Sequence, residues 1–136
     1  MKKLQFNAPG LYISPYFPRA IKISGQTTTI YMSGMTPADE EYLPVHEGDI
    51  AAQYKYVVDA CGRVLAQAGA GWADVVMIRT YLVDYPSFMG EFKRGKITIP
   101  GVPGRAPCST MIAVQALSHP GFLVEMELIA VVESEG

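Results

Sequence analysis

The sequence predicts an α+β fold, a mixed sheet of five to six strands with two helices on one face. Three observations predict it. Residues 49–68 carry the 3.6-residue apolar period of a helix. Short runs rich in β-branched and aromatic residues lie on either side of that stretch. Pro and Gly cut the chain into short elements, with no repeat and no low-complexity linker. At 136 residues, 49% of them hydrophobic, residues 1–136 form one domain with one core.

A short first strand is expected over Leu4–Asn7. AIKI (20–23) and TIYM (29–32) are β-type runs around Ser24-Gly25-Gln26-Thr27, which reads as a hairpin. Residues 36–48 are polar with two prolines and form a loop. From Asp49 to Ala68 the apolar residues Ile50, Tyr54, Val57, Val58, Cys61, Val64, Leu65 and Ala68 trace one helix face. Asp49 is placed as N-cap and Gly69 as terminator. Residues 74–83 form a strand with apolar residues on both faces. Pro86 to about Lys96 is a second, shorter helix carrying Phe88, Met89 and Phe92. Residues 97–107, with three prolines and two glycines, are irregular. Two last strands, 108–117 and 122–132, are joined by Ser118-His119-Pro120-Gly121; paired as a hairpin, they would bring the start of one near the end of the other. With both helices on one face, the other face of the sheet would need another subunit to cover it.

Composition excludes several classes. The net charge is −2 and no basic stripe stands out, against a nucleic-acid partner. No apolar run approaches the ~18 residues of a membrane span, and Lys2-Lys3 precede no apolar signal core. Cys61 and Cys108 are too few for a disulfide framework, so a reduced, cytoplasmic protein is expected. His46 and His119 lack metal-ligand spacing, so no metal site is expected. Cys108 has no histidine partner nearby and reads as a buried structural thiol.

The last strand carries the most suggestive chemistry. In FLVEMELIAVV, alternation puts Val124, Met126, Leu128 and Ala130 on one face and Glu125, Glu127, Ile129 and Val131 on the other. Paired carboxylates there either keep a sheet edge soluble or hold a water and trade a proton at a subunit interface. Arg105, in a Gly/Pro-rich loop, is either a carboxylate clamp or a solvated loop side chain.

GDIAAQ (48–53), LAQAG (65–69), WADVVMIRTYLVD (72–84) and LVEMELIAVV (123–132), with Tyr31-Met32-Ser33-Gly34 ending a strand, together resemble the RidA/YjgF family. The resemblance covers about residues 15–132. It implies a chorismate-mutase-like subunit and a homotrimer with small-molecule sites in the clefts between subunits. It further implies hydrolysis of enamines or imines to carbonyl compounds and ammonia, with no metal or organic cofactor. The family's water-orienting carboxylate falls on Glu125. Its carboxylate-binding arginine falls on Ser109, which offers one hydroxyl and no charge; the nearest arginine is Arg105. The family's frequent Asn falls on Phe92, and Met35 stands where a Gln follows Ser-Gly. The tyrosine of the site falls on Tyr16 or Phe17. Ser33, Gly34 and Met111 complete the implied lining. The resemblance thus implies either a deaminase for a larger, more apolar substrate, such as an aminomuconate-type compound, or a non-catalytic metabolite-binding trimer. Nucleic-acid cleavage, also attributed to the family, is disfavoured by charge.

Overall fold

The helix over residues 49–68 forms as its period dictates. In the computed structural model, which describes residues 1–134, α1 spans Ile50–Gln67. The Asp49 side chain accepts the Ala52 N–H at 3.1 Å, and Gly69 leaves the helix with φ +80°. Ile50, Tyr54, Val57, Cys61 and Leu65 are buried against the sheet. Full burial of each such side chain contributes about 1.5–3 kcal/mol.

The strands are β1 (Lys2–Phe6), β2 (Ala20–Ser24), β3 (Thr27–Met35), β4 (Val75–Leu82), β5 (Cys108–Ala113) and β6 (Val124–Glu133); α2 covers Tyr85–Lys93. They form two ladders. The main sheet has the order β3-β6-β4-β5, antiparallel except for the parallel β4–β5 pair. β1 and β2 pair only with each other. Both helices contribute buried side chains to one core, Phe88 of α2 packing edge-to-face on Tyr54 of α1 at 5.2 Å.

Two sequence expectations fail in their pairing. The 20–32 hairpin does not form: β2 pairs with β1, while β3 pairs with β6. Gly25, at φ +98°, turns the chain from one ladder to the other, and a Cβ there would meet Met1 Cα at 3.0 Å. The last two strands are not a hairpin either. β5 lies at the sheet edge beside β4, and the chain passes over β4 to enter β6 between β4 and β3. Strand-forming residues specify extended backbone; the choice of partner depends on contacts distant in sequence. The β1–β2 ribbon runs across one end of the main sheet. The Met1 ammonium binds Glu133 Oε1 at 2.8 Å, and Gln5 Nε2 donates to the Ala106 carbonyl at 2.9 Å.

Alternation in β6 holds as read from Val124 to Ala130; Val131, expected on the carboxylate face, is buried as well. Val124, Met126, Leu128 and Ala130 are all at most 2% exposed under the helices. The opposite face carries Glu125, Glu127 and Ile129, next to Met77, Arg79 and Tyr81 of β4. Neither helix covers that face, and Tyr31 on it is 78% exposed. Among the described residues no helix is long and apolar enough to cross a membrane.

One buried polar group ties distant parts of the chain. Gln53 is fully buried. Its amide donates to the Val45 and Gly121 carbonyls at 3.0 and 2.8 Å, and its oxygen accepts the Leu123 N–H at 2.9 Å.

Candidate functional site

The predicted site residues separate into two groups on opposite faces of the sheet, with Arg105 apart from both. The first group gathers around Glu125. Between Met32↔Leu128 and Met35↔Met126 the β3–β6 register slips, so Ser33 and Gly34 sit in a β-bulge. The bulge brings the Gly34 backbone against the Glu125 side chain. A Cβ at position 34 would overlap the Glu125 carboxylate and lie 2.8 Å from its Cδ, so only glycine leaves room for the carboxylate where it stands.

Glu125 and Glu127 share a face but differ in surroundings. The Glu127 carboxylate accepts the Tyr81 hydroxyl at 2.6 Å and faces Arg79 Nη1 at 3.5 Å. That bond pushes the Tyr81 phenol up. Glu125 is half-buried, and its pKa is raised, first by that burial and then by the charge of Glu127. A half-buried carboxylate with a raised pKa, beside exposed backbone, is suited to trading a proton with a bound water.

The second group lies on the helix face. β5 registers Ser109 beside Ile78 and Met111 beside Thr80, both buried positions under the helices. Ser109 and Met111 therefore point away from Glu125. They line a cavity of about 330 Å³ together with Tyr16, Phe17, Phe92, Tyr85, Phe88, Met89 and Ile99. Tyr16 packs edge-to-face on Phe92, centroids 5.6 Å apart. Sequence reading missed Tyr85, Phe88, Met89 and Ile99 as lining residues. For all but Ile99 the signal lay in α2, which carries large apolar side chains from its exposed start to its buried Phe88.

Arg105 joins neither group. It lines the groove with Lys3, Gln5, Asp74 and Val75, beneath the β1–β2 ribbon. Burial lowers the Lys3 pKa, the Asp74 charge partly restores it, and the Arg105 charge lowers it further. Val75 pairs with Ala130, whereas Glu125 pairs with Tyr81. Within one protomer Arg105 and Glu125 thus belong to opposite ends of β4, on the order of 20 Å apart at ~3.3 Å per residue, and Arg105 does not line the helix-face cavity either. Arg105→Ala is accordingly expected to change whatever turnover the site supports by less than twofold and stability by less than about 0.5 kcal/mol. A tenfold fall in steady-state kcat/KM would return Arg105 to the site.

The remaining candidates have local roles. His119 Nδ1 accepts the Gly121 N–H at 3.0 Å, and its ring packs on Phe122. His46, at φ +50°, packs on Tyr56. Among the described residues no three His, Cys, Asp or Glu side chains gather as a metal set. Cys61 is buried, which pushes its thiol up to about 12. Cys108 is half-buried rather than fully buried as expected, and its pKa is also raised by desolvation, so neither thiol is poised as a nucleophile.

A family model described as Endoribonuclease L-PSP matches residues 8–132. A RutC family protein of Pyrococcus abyssi is 30% identical over 117 residues, 79% of this chain and 87% of that protein. The 3-aminoacrylate deaminase RutC of Acinetobacter baylyi is 34% identical over 76 residues, 56% of this chain and 57% of that protein. Among solved structures, the Rid family protein YyfB of Yersinia pestis superposes with a TM-score of 0.74 at 30% identity. That match covers 97% of this chain and 100% of the other.

Proposed function

The chain belongs to the RidA/YjgF family, which the endoribonuclease L-PSP model describes, and from this membership we propose that it is a homotrimeric hydrolase of an imine or enamine metabolite. The observation that carries the reading is Glu125, half-buried, with a raised pKa and seated on the Gly34 backbone. A subunit interface over the open sheet face would cover Tyr31 and Ile129. It would also set Glu125 of one subunit beside the helix-face cavity of a neighbour, an arrangement no single protomer provides. In such a cleft Glu125 orients a water and accepts its proton as the oxygen attacks the imine carbon. The nitrogen of the carbinolamine then takes a proton, the C–N bond breaks with its electrons going to nitrogen, and ammonia leaves with a carbonyl product behind. An enamine first becomes the imine by protonation at carbon. One water is consumed for each ammonia and carbonyl released. Net charge and the lack of a basic stripe give no support to RNA cleavage.

A second reading is favoured by a specific observation: Ser109 puts no charge in the cavity, which suits a non-catalytic metabolite-binding trimer. The deciding experiment generates imines in situ from amino acids and from primary amines, and follows ammonia and carbonyl release together with light scattering. The hydrolase reading expects accelerated release from at least one imine class by a trimer. Release at the uncatalysed rate from every class, or a folded monomer at micromolar concentration, overturns it.

A further inference from the structure

The helix-face cavity has a composition that selects its occupant. Tyr16, Phe17, Phe88, Phe92, Met89 and Met111 supply most of its wall. None of its lining residues is Lys, Arg, His, Asp or Glu, and its polar side-chain atoms are hydroxyls of serine and tyrosine. Its volume of about 330 Å³ exceeds the roughly 150 Å³ that accepts a benzene ring. A carboxylate placed there would lose its water and gain neither a cation nor a set of amide donors, which disfavours it strongly. An aromatic ring would replace water against aromatic edges and methionine sulfur, both favourable partners.

We propose that the cavity takes an uncharged apolar group, an aromatic ring or a branched aliphatic chain, of a substrate that carries no carboxylate at that end. The proposal rests on the reading of this cavity as half of an inter-subunit site. It sets aside a dianionic aminomuconate-type compound and points to imines of apolar ketones or aldehydes.

The test separates binding preference from turnover. Calorimetry compares phenylacetone with phenylpyruvate, which bear a methyl and a carboxylate on the same benzyl carbonyl skeleton. The full-length protein is expected to bind phenylacetone at least tenfold more tightly. Phe92→Ala is expected to weaken phenylacetone binding, because it removes the ring packed on Tyr16. Ser109→Arg adds a guanidinium to the cavity wall and is expected to reverse the preference. Circular dichroism and light scattering confirm that both variants keep the fold. Preference for phenylpyruvate, no binding of either ketone, or a preference unmoved by both variants overturns the proposal. A preference for phenylacetone with no imine turned over leaves the cavity assignment standing and removes the hydrolase reading alone. Turnover of imines with a preference for the carboxylate does the opposite.

Discussion

Replacing Glu125 by Gln is expected to lower turnover of a confirmed imine substrate by roughly 10²–10⁴-fold, the range for loss of a general base. The amide keeps the shape of the side chain and its fit against Gly34, but loses the charge and the basicity. Stability is expected to move the other way. Burial, and then Glu127, raise the Glu125 pKa above its ordinary value of 4.5. The folded protein therefore binds that proton more tightly than the unfolded chain. Its contribution to stability is full below the unfolded pKa and is lost as the pH rises through the folded one. At pH 7.5 the Gln variant should melt at or above the wild-type temperature, and near pH 4 the difference should close. Glu127→Gln is the informative contrast. It weakens the bonds to Tyr81 and Arg79 at a partly exposed site, with an expected cost of about 1 kcal/mol and a smaller loss of turnover. Equal losses in both variants, each with dissociation of the oligomer, would make both carboxylates structural.

Gln53→Leu is expected to be among the most destabilising single substitutions in the chain. Leucine is larger than glutamine by nearly a methylene and branches at Cγ, so some overpacking adds to the cost. The Val45 and Gly121 carbonyls and the Leu123 N–H all lose their partner at once. An unsatisfied buried group costs about 1–3 kcal/mol, so a total of about 3–6 kcal/mol follows after partial relaxation. At roughly 3–5 °C per kcal/mol for a domain of this size, the melting temperature should fall by about 10–30 °C. Thermal denaturation followed by circular dichroism measures it. A fall below about 3 °C would mean that water enters and replaces the side chain's three bonds.

The elements were more legible in the sequence than their arrangement. α1 could be read almost to the residue because its period, its Asp49 cap and Gly69 are all local signals. The face of β6 that bears Glu125 and Glu127 followed from alternation alone, since a strand turns its side chains without reference to its neighbours. Strand partners were not legible. β2 and β3 are adjacent in sequence and flank a glycine, yet each ladder is completed by a distant segment. The misplaced pairing carried into the site. Read as a hairpin, β5 and β6 would be neighbours, whereas β4 separates them. The resemblance placed Ser109 and Glu125 in one site, but residue order could not tell that they face opposite sides of the sheet. Arg105 was the more ambiguous candidate, because a loop arginine has no period and its surroundings are set by the ribbon folded over it.

The seat of Glu125 on Gly34 also constrains how this chain diverges. The two positions lie 91 residues apart in sequence, yet the space for one side chain is the absence of the other. A mutation that gives position 34 a Cβ has to arrive with a shorter residue at 125, or with the flexible Glu125 side chain turned off its seat. A lineage that shortens residue 125 releases position 34 to vary. The pair thus drifts as a unit. In an alignment of descendants, alanine or serine at 34 would mark the sequences in which the carboxylate at 125 is lost or no longer rests on that backbone.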